Sequence, residues 1–436
     1  MRRFKKVILI IGVFMLLFSL LKSFYSDNSV TLKDSSLNWS VRYKGISGAE
    51  DFAADESKSF YIAYKNKIQY IDSRGKSYNI LKDKSLNINA LEYNNGKLYY
   101  ASDNKIFCYD LEKKEQKILI GDLPNFGDYK ESLIKIKGNE LYVSVGSATN
   151  SGVVGSDNAW IKDTPFNYDI SPKDITVKGK NFGSEKSGAF VPYKTKSLSG
   201  QLISGHFPGN ASIIHYDLSN GYGSTLAWGI RNVEGMSFNS EGKLIAAVGG
   251  MEDRGLRPVK GDVDYIYEIK KGAWYGWPDY SGGDPVSSPR FKGQNNSRVN
   301  FILDNHPTTN PPAPIYQHRQ LSAIGALDID TTGAVGEKDC IYFYDTRDNM
   351  LYGLSSGKIL RVKAQFRDAA DVSSLKIYNS NLFVLDKSEG VLYGFYIKEH
   401  GSNMNFTKSI IYYALGVIII TIILLIWKFN EAKVKE

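Results

Sequence analysis

Short stretches in which apolar and polar residues alternate recur along the whole central part of the chain. Each unit begins at a turn with Gly, Asn or Lys and continues as an alternating apolar strand. A short polar link then leads to a second strand, which ends in an aromatic residue and often in an acidic one. Six such pairs occur, at residues 59–63 with 68–72, 96–100 with 106–110, 140–144 with 213–217, 242–246 with 264–268, 340–344 with 350–354, and 381–385 with 391–395. A unit of this size cannot bury its own apolar face, so the repetition predicts small sheets packed radially around an axis.

The six units predict an all-β fold, a six-bladed β-propeller. Because the repeat is degenerate, seven blades, or a sandwich with a second module, are the alternatives. The 29 Tyr and 40 Gly residues agree with strands and tight turns. No long amphipathic helical stretch lies between the two ends of the chain.

Long segments interrupt the third and fourth units. Residues 147–200 contain Ser- and Gly-rich pieces and lack sustained periodicity, which predicts loops at one end of the propeller. Long loops on a rigid scaffold are where binding sites usually lie. The alternative is that these loops only cover the edge of a blade.

The N-terminus has the form of an export signal. Basic residues within positions 2–6 precede an apolar run at residues 7–21, as in the n-region and h-region of a secretory signal. Residues 22–26 offer no small-x-small cleavage site. We therefore expect either a signal peptide or an uncleaved signal anchor.

The C-terminus contains an uncharged, Ile-rich run at residues 410–427 that is followed by lysines. Such a run predicts a transmembrane helix, since a buried core helix would normally keep a polar face. Basic residues flank the first run on its leading side and the second on its trailing side, which places both tails in the cytoplasm. The main domain is then extracellular and the protein belongs to the cell membrane.

These assignments divide the chain into six parts: a signal peptide or signal anchor, a linker, the propeller, a second linker, a transmembrane helix and a cytoplasmic tail. Their bounds are residues 1–26, 27–45, 46–398, 399–408, 409–428 and 429–436. The 54 basic and 46 acidic residues are spread along the chain, so no nucleic-acid partner is indicated. Cys108 and Cys340 fall in predicted strands without Cys-x-x-Cys spacing, which indicates neither a zinc site nor a redox pair. A bridge between them would have to join distant parts of the fold.

Most of the candidate functional residues lie within residues 228–285. Arg231 and Asn232 come just before a predicted strand, at the rim of a blade, where a guanidinium could bind the carboxylate of a ligand. The spacing alone favours a structural salt bridge instead, for instance with Glu234.

A loop rich in carboxylates follows and includes Asp253 and Asp262. Several carboxylates in a loop with Gly and Pro could bind Ca²⁺, although no EF-hand spacing is present. Two arginines of the same loop, Arg254 and Arg257, are placed to neutralise its acidic side chains, Glu252 among them. The window ends at residues 274–280 in aromatic residues that alternate with Gly and Pro, which suits blade packing and could also stack against a sugar ring.

Together these motifs resemble the signature of the glucose/sorbosone dehydrogenase family. The similarity is dense over residues 130–285 and rests on residues 142–147, on Arg231 and Asn232 followed by Gly235, and on residues 253–258 and 275–280. The resemblance implies a six-bladed propeller that holds pyrroloquinoline quinone (PQQ) beside calcium at the blade tops. It also implies oxidation of a sugar or sugar aldehyde, with electrons passed to a membrane acceptor.

The resemblance assigns roles to particular residues. Arg231, with Asn232 beside it, matches the arginine that pairs with the quinone cofactor. The segment from Gly255 to Pro258 matches the one whose backbone helps bind calcium, with Asp253 and Asp262 as nearby carboxylates.

One departure concerns the general base. Active members carry a His on the segment that here spans residues 123–133, and this segment has Asp128 or Tyr129 in its place. Imidazole suits proton abstraction because its pKa lies near neutrality, whereas a carboxylate is about 2 to 3 pH units more acidic and a tyrosine is mostly protonated. The family's cofactor-binding Lys has no matching motif either. We therefore expect oxidation to be slow or absent.

Three functions are open at this point. The first is a PQQ-dependent sugar dehydrogenase. The second is a non-catalytic propeller that binds carbohydrate, an envelope polymer or a protein partner. The third is an assembly or sensing protein, which would need a partner because its cytoplasmic tails are only a few residues long.

Overall fold

The structure is a computed structural model that describes residues 30–398 and Gly416. The chain separates into two compact units, Met1–Ile397 and Lys398–Glu436. The expected signal segment and the expected transmembrane helix at residues 409–428 lie outside the described residues, except for Gly416, which is helical. Within the described ranges, no helix has both the length and the apolar character that a bilayer crossing requires.

Six antiparallel sheets, each of four or five strands, make up the first unit. In blades 1 to 4 the first strand along the chain is the innermost, whereas blades 5 and 6 each receive their outermost strand from the start of the chain. The strands of blades 1 to 3 are Ala49–Ala54, Phe60–Tyr64, Lys67–Ile71 and Ser77–Lys82; Ile88–Asn94, Lys97–Ser102, Lys105–Asp110 and Glu115–Ile120; and Ile134–Lys137, Glu140–Val145, Ser212–Asp217 and Gly223–Trp228.

Blades 4 to 6 repeat the arrangement. Their strands are Val233–Phe238, Leu244–Val248, Tyr265–Ile269 and Tyr316–Gln317; Ile324–Asp330, Cys340–Asp345, Met350–Leu354, Leu360–Gln365 and Thr31–Leu32; and Val372–Tyr378, Asn381–Asp386, Val391–Ile397 and Leu37–Lys44. The innermost strands of all six blades line one central channel. The predicted six-bladed propeller is therefore confirmed.

The six sequence units correspond to the second and third strands of the six blades. Even the distant pairing of the third unit is confirmed, because Val143 lies opposite Ile214 in blade 3. Apolar side chains of neighbouring blades pack against each other between the sheets, as Leu98 and Tyr100 of blade 2 do with Ala63 and Ile68 of blade 1.

The segment expected as a linker at residues 27–45 contains two propeller strands instead. Leu37–Lys44 is the outer strand of blade 6, with Leu37 opposite Ile397 and Lys44 opposite Val391. The ring is thus closed by pairing the first long strand with the last. Because every strand of the six blades lies within residues 30–398, this part, called the head below, contains all that the ring needs.

The inserts carry little regular structure. Short strand pairs form at Ile175–Lys178 with Ser199–Ile203, Asn181–Phe182 with Ser187–Gly188, and Tyr280–Ser281 with Asp284–Pro285, and 3-10 turns at Ala159–Lys162 and Gln294–Asn296. The prediction of loops at residues 147–200 is confirmed in the main. Cys108 and Cys340 are buried free thiols, so no bridge joins them.

Candidate functional site

Four loops meet at one end of the channel, which we call the mouth. Residues 121–133 lead into blade 3 and residues 229–232 lead into blade 4. Residues 146–211 and 249–264 connect the second and third strands of those two blades. Because successive strands are antiparallel, all four connections lie at the same end of the sheets. The side chains predicted for catalysis, cofactor and calcium are all in these loops.

Arg231 is buried at the floor of the mouth, with 4% of its surface exposed. Its Nη2 lies 2.5 Å from Oε1 of Glu252, and its Nε donates to the carbonyl of Asn150 at 3.3 Å. The ring of Tyr129 covers the guanidinium, with its centroid 4.1 Å from the central carbon. Burial lowers the pKa of Arg231, and Glu252 opposes this effect. The predicted salt bridge exists, but its partner is Glu252 rather than Glu234.

Arg254 forms salt bridges with three carboxylates close to Arg231. Its Nε lies 2.6 Å from Glu252, its Nη1 2.9 Å from Asp157, and its Nη2 2.8 Å from Asp128. Burial alone would lower the pKa of Arg254, but the hydrogen bonds that it donates to Glu252 and Asp128 outweigh this effect and raise the pKa. The expectation that Arg254 and Arg257 neutralise Glu252 and Asp253 is confirmed only for Arg254 with Glu252, because Arg257 pairs with Asp279 and Asp253 is exposed.

Asp128 and Tyr129, the two positions that replace the family His, both lie in this network. Oδ1 of Asp128 accepts a hydrogen bond from Nε1 of Trp160 at 2.9 Å, and Oδ2 accepts one from Nδ2 of Asn158 at 2.8 Å. The Tyr129 hydroxyl donates to Glu252 at 2.6 Å. Each of these polar groups is already bonded to a neighbour within the protein.

Close backbone packing holds this segment in place. A Cβ on Gly146 would lie 2.3 Å from the carbonyl oxygen of Tyr129, and a Cβ on Gly127 would lie 2.1 Å from the Cα of Ala148. Only glycine permits such an approach of two backbones. The loop of residues 121–133 is therefore fixed against the insert, with Tyr129 held over Arg231.

Asn232 bonds to Glu234, a residue that lines the channel. Its Nδ2 donates to Oε1 of Glu234 at 2.7 Å. Within the described part of the chain, no lysine, arginine or histidine nitrogen lies within 4.0 Å of the Glu234 carboxylate. Burial, together with the nearby Asp264, raises the pKa of Glu234 to about 7.

Glu234→Gln is expected to stabilise the propeller above neutral pH. In the unfolded chain a Glu titrates near 4.5 and in the fold near 7, so the folded state binds the proton more tightly. The stability this proton gives is complete below pH 4.5 and is lost as the pH rises through 7, a change of up to about 3 kcal/mol. Gln keeps the bond to Asn232 and removes the charge.

Urea unfolding of the head at pH 5 and pH 8 checks this expectation. The advantage of Glu234→Gln over the wild type should grow between the two pH values. Glu241→Gln, at a side chain that is 63% exposed, is the control and should show no such growth. An equal difference at both pH values would contradict the prediction.

The residues predicted for calcium do not converge. Asp253 is exposed, whereas Asp262 is buried and accepts hydrogen bonds from the Met251 amide at 2.7 Å and the Tyr265 hydroxyl at 2.7 Å. Gly255 and Pro258 lie in the loop between them. Residues 30–398 contain no group of three or more His, Cys, Asp or Glu side chains arranged to hold a metal ion. Calcium binding stays a prediction.

The histidines of the described ranges lie outside the mouth network. His306 contacts Asp279 and His318 contacts Asp345, each at 3.0 Å, His215 contacts Glu140, and His206 is exposed. None of them therefore supplies the imidazole that the resemblance requires.

Sequence reasoning missed Asp157, Asn158 and Trp160 as partners at the mouth. They come from an insert without periodicity, and only the fold brings them to Asp128. Their one signal was an isolated Trp in a polar loop.

The arrangement at the mouth does not fit PQQ, which carries three carboxylates of its own. Asp128, Asp157 and Glu252 outnumber the guanidinium groups of Arg231 and Arg254, so the cluster is net negative. On its inner side Arg231 borders a cavity of about 20 Å³ that is lined by Tyr265 and Tyr267 and has the space of a single water. A quinone cofactor would have to displace both Glu252 and the Tyr129 ring.

Comparison with known proteins supports the architecture. No protein-family model and no curated protein sequence matches the chain. Among solved structures, a Trichoderma reesei member of carbohydrate-active enzyme family AA12 superposes with a TM-score of 0.59 at 14% identity over 85% of this chain and 98% of the other. The PQQ domain of pyranose dehydrogenase from Coprinopsis cinerea gives 0.57 at 11% identity over 85% and 98%.

A third similar structure is the putative glucose dehydrogenase of Thermus thermophilus, with a TM-score of 0.51 at 12% identity over 82% of this chain and 99% of the other. Identities this low establish a common fold. The chain therefore has the six-bladed β-propeller fold that it shares with these solved structures.

Proposed function

We propose that this protein is a membrane-tethered, extracellular propeller of the sugar dehydrogenase fold that binds a ligand at its mouth without oxidising it. The tether and the location rest on the export signal, the apolar run at residues 410–427 and the basic residues that flank them. The ligand would be a carbohydrate, an envelope polymer or a protein that the head meets outside the cell.

The proposal rests on the salt bridges and hydrogen bonds that the side chains of the mouth form with each other. The two guanidinium groups, on Arg231 and Arg254, are both bonded to carboxylates of the protein itself. Asp128 accepts bonds from Trp160, Asn158 and Arg254, which occupy three of the about four acceptor sites of its carboxylate. Among the described residues, Arg231, Arg254 and Asp128, which the resemblance and the fold place at the mouth, are therefore all engaged with other side chains.

A carbohydrate is the ligand class with direct support. Trp160 and Phe126 lie edge to face, with centroids 5.9 Å apart, at the rim of the mouth and both are partly exposed. Asp128, beside Trp160, adds hydrogen-bond acceptors. An aromatic face next to polar groups is a surface on which a sugar ring can stack and bond.

A second candidate is PQQ-dependent oxidation of a sugar or sugar aldehyde. In its favour, Asp128 and Tyr129 of one predicted segment and Arg231 of another lie in one network of contacts. The fold shared with a pyranose dehydrogenase PQQ domain points the same way.

The purified head, mixed with PQQ and Ca²⁺, separates the two candidates. We expect no rise in the melting temperature and no glucose-dependent dye reduction, with a PQQ-dependent sugar dehydrogenase as the positive control. Asp128→His tests the missing base, and Asp128→Asn is its matched control. Glucose-dependent dye reduction by the wild-type head would overturn the proposal in favour of oxidation.

A further inference from the structure

One strand pair of the large insert has one buried face and one exposed face. In Ile175–Lys178 and Ser199–Ile203, Val177 lies opposite Gln201 and Thr176 opposite Leu202. Val177 is fully buried and bridges to Leu303, and Ile175 is buried in the same apolar cluster. The pair is therefore anchored to the propeller by its inner face.

The outer face of this pair presents two leucines to solvent. Leu198 is 70% exposed and Leu202 is 60% exposed. A tight turn fixes them, because the Leu198 amide donates to the Gln201 side chain at 2.9 Å and the Gln201 amide donates to the Leu198 carbonyl at 3.1 Å. Gly200 has a φ of 75° within this turn. The turn therefore presents both leucines at the surface in one fixed arrangement.

Three lysines border the leucines. Lys178 lies opposite Ser199, and Lys180 and Lys196 are exposed on the adjoining chain. Within residues 30–398, none of the three has a carboxylate oxygen within 4.0 Å, whereas the nearby Lys194 is paired with Glu185 at 3.4 Å. The surface formed by Leu198, Leu202 and these lysines, called the Leu-Lys patch below, is therefore both apolar and positively charged.

We propose that the Leu-Lys patch docks the head on an anionic lipid surface, with the leucines in the headgroup region and the lysines on lipid phosphates. Fixed apolar side chains beside unpaired lysines are the combination that binds anionic bilayers. A bilayer is the occupant we choose because lysines without a carboxylate partner complement anionic headgroups and exposed leucines can enter the headgroup region. The patch shares no residue with the network of Arg231, Arg254 and Asp128, so it docks whether or not the mouth oxidises a ligand.

The experiment uses the head, residues 30–398, which lacks both predicted anchors, so that any binding comes from the folded surface. Co-sedimentation with phosphatidylglycerol-containing vesicles should show binding, and pure phosphatidylcholine vesicles should show much less. Raising the salt concentration should weaken the binding, because exposed charges are screened.

Variants locate the surface. Replacing Lys178, Lys180 and Lys196 with Gln should weaken binding about 5-fold for each lysine removed. Leu198→Ser with Leu202→Ser should weaken it by about 10-fold or more. The matched control changes Lys113, Lys114 and Lys117 to Gln and Ile118 to Ser, at the outer edge of blade 2, where Ile118 is 54% exposed.

The proposal is overturned if the wild-type head ignores anionic vesicles or if the control variant loses as much binding as the patch variants. Retention on an acidic polysaccharide resin without vesicle binding would also overturn it and would assign the patch to an envelope polymer. Circular dichroism of each variant verifies that the head is folded. A failure here leaves the PQQ experiment unaffected, since that one reports only on the mouth.

Discussion

Replacing Lys376 with methionine is expected to lower the free energy of unfolding by about 3 to 5 kcal/mol. The ammonium lies 3.0 Å from Asp51 and 3.2 Å from Glu92, and it donates to the carbonyl of Leu91 at 2.5 Å. Burial alone would lower the pKa of Lys376, but the two carboxylates outweigh it and raise the pKa. Methionine keeps the apolar stem and leaves Asp51 buried without a cation.

The effect should be large because Lys376 belongs to a network that runs around the channel. Lys135 lies 3.4 Å from Glu92 and 3.7 Å from Asp328. Each innermost strand contributes at least one member, in chain order Asp51, Glu92, Lys135, Ser237, Asp328, Ser374 and Lys376. Polar side chains in this position join all six blades around a space of about 60 Å³.

Chemical unfolding of the head and of Lys376→Met measures the loss. Lys243→Met is the control, because Lys243 is 48% exposed and pairs with Glu241 at the surface, where a salt bridge contributes at most about 1 kcal/mol. Similar losses for the two variants would show that the channel network does not stabilise the ring.

This network also explains which strands can be predicted from the sequence. The second and third strands of each blade are rich in apolar residues, and their pattern identifies all six pairs. The innermost strands carry Asp51, Glu92, Lys135 or Lys376 toward the channel, which interrupts the apolar alternation. Polar residues are expected in these strands only when the closed ring and its channel are known.

The outer strand Leu37–Lys44 lies in the segment expected as a linker, although its sequence has the alternation of a strand. Apolar residues at positions 37, 39, 41 and 43 alternate with Asn, Ser, Arg and Lys. It becomes a strand because it pairs with Val391–Ile397, more than 340 residues away in the chain. Neither local propensity nor hydrophobic pattern reports a partner at that distance.

At the mouth, the sequence predicts the right residues and, in part, the wrong contacts. Spacing favours Glu234 as the partner of Arg231, since the two are three residues apart at the start of a strand. In the fold, Arg231 reaches across to Glu252 on another loop, and Glu234 faces the channel. Which carboxylate meets which guanidinium depends on how separate loops cross.

Arg257→Lys is expected to lower the free energy of unfolding by about 3 to 5 kcal/mol, although it conserves charge. Nη2 of Arg257 lies 2.7 Å from Asp279, and the same guanidinium donates to the carbonyls of Ser151, Pro278 and Asn300 at 2.9 to 3.2 Å. Arg257 is 3% exposed and Asp279 is fully buried. These bonds hold three loops around the mouth together.

A lysine cannot reproduce this arrangement, because its ammonium has three donors at one point and the guanidinium has five in a planar fork. Carbonyls of at least one loop would lose their donor inside the protein, at a cost of about 1 to 3 kcal/mol each. Arg298→Lys is the control, since Arg298 is exposed and donates only to Ser287 at 3.1 Å. Urea midpoints of the two variants should differ strongly. If Arg257→Lys unfolds at the same urea midpoint as the wild type, the loops at the mouth are held by their apolar packing and not by this guanidinium.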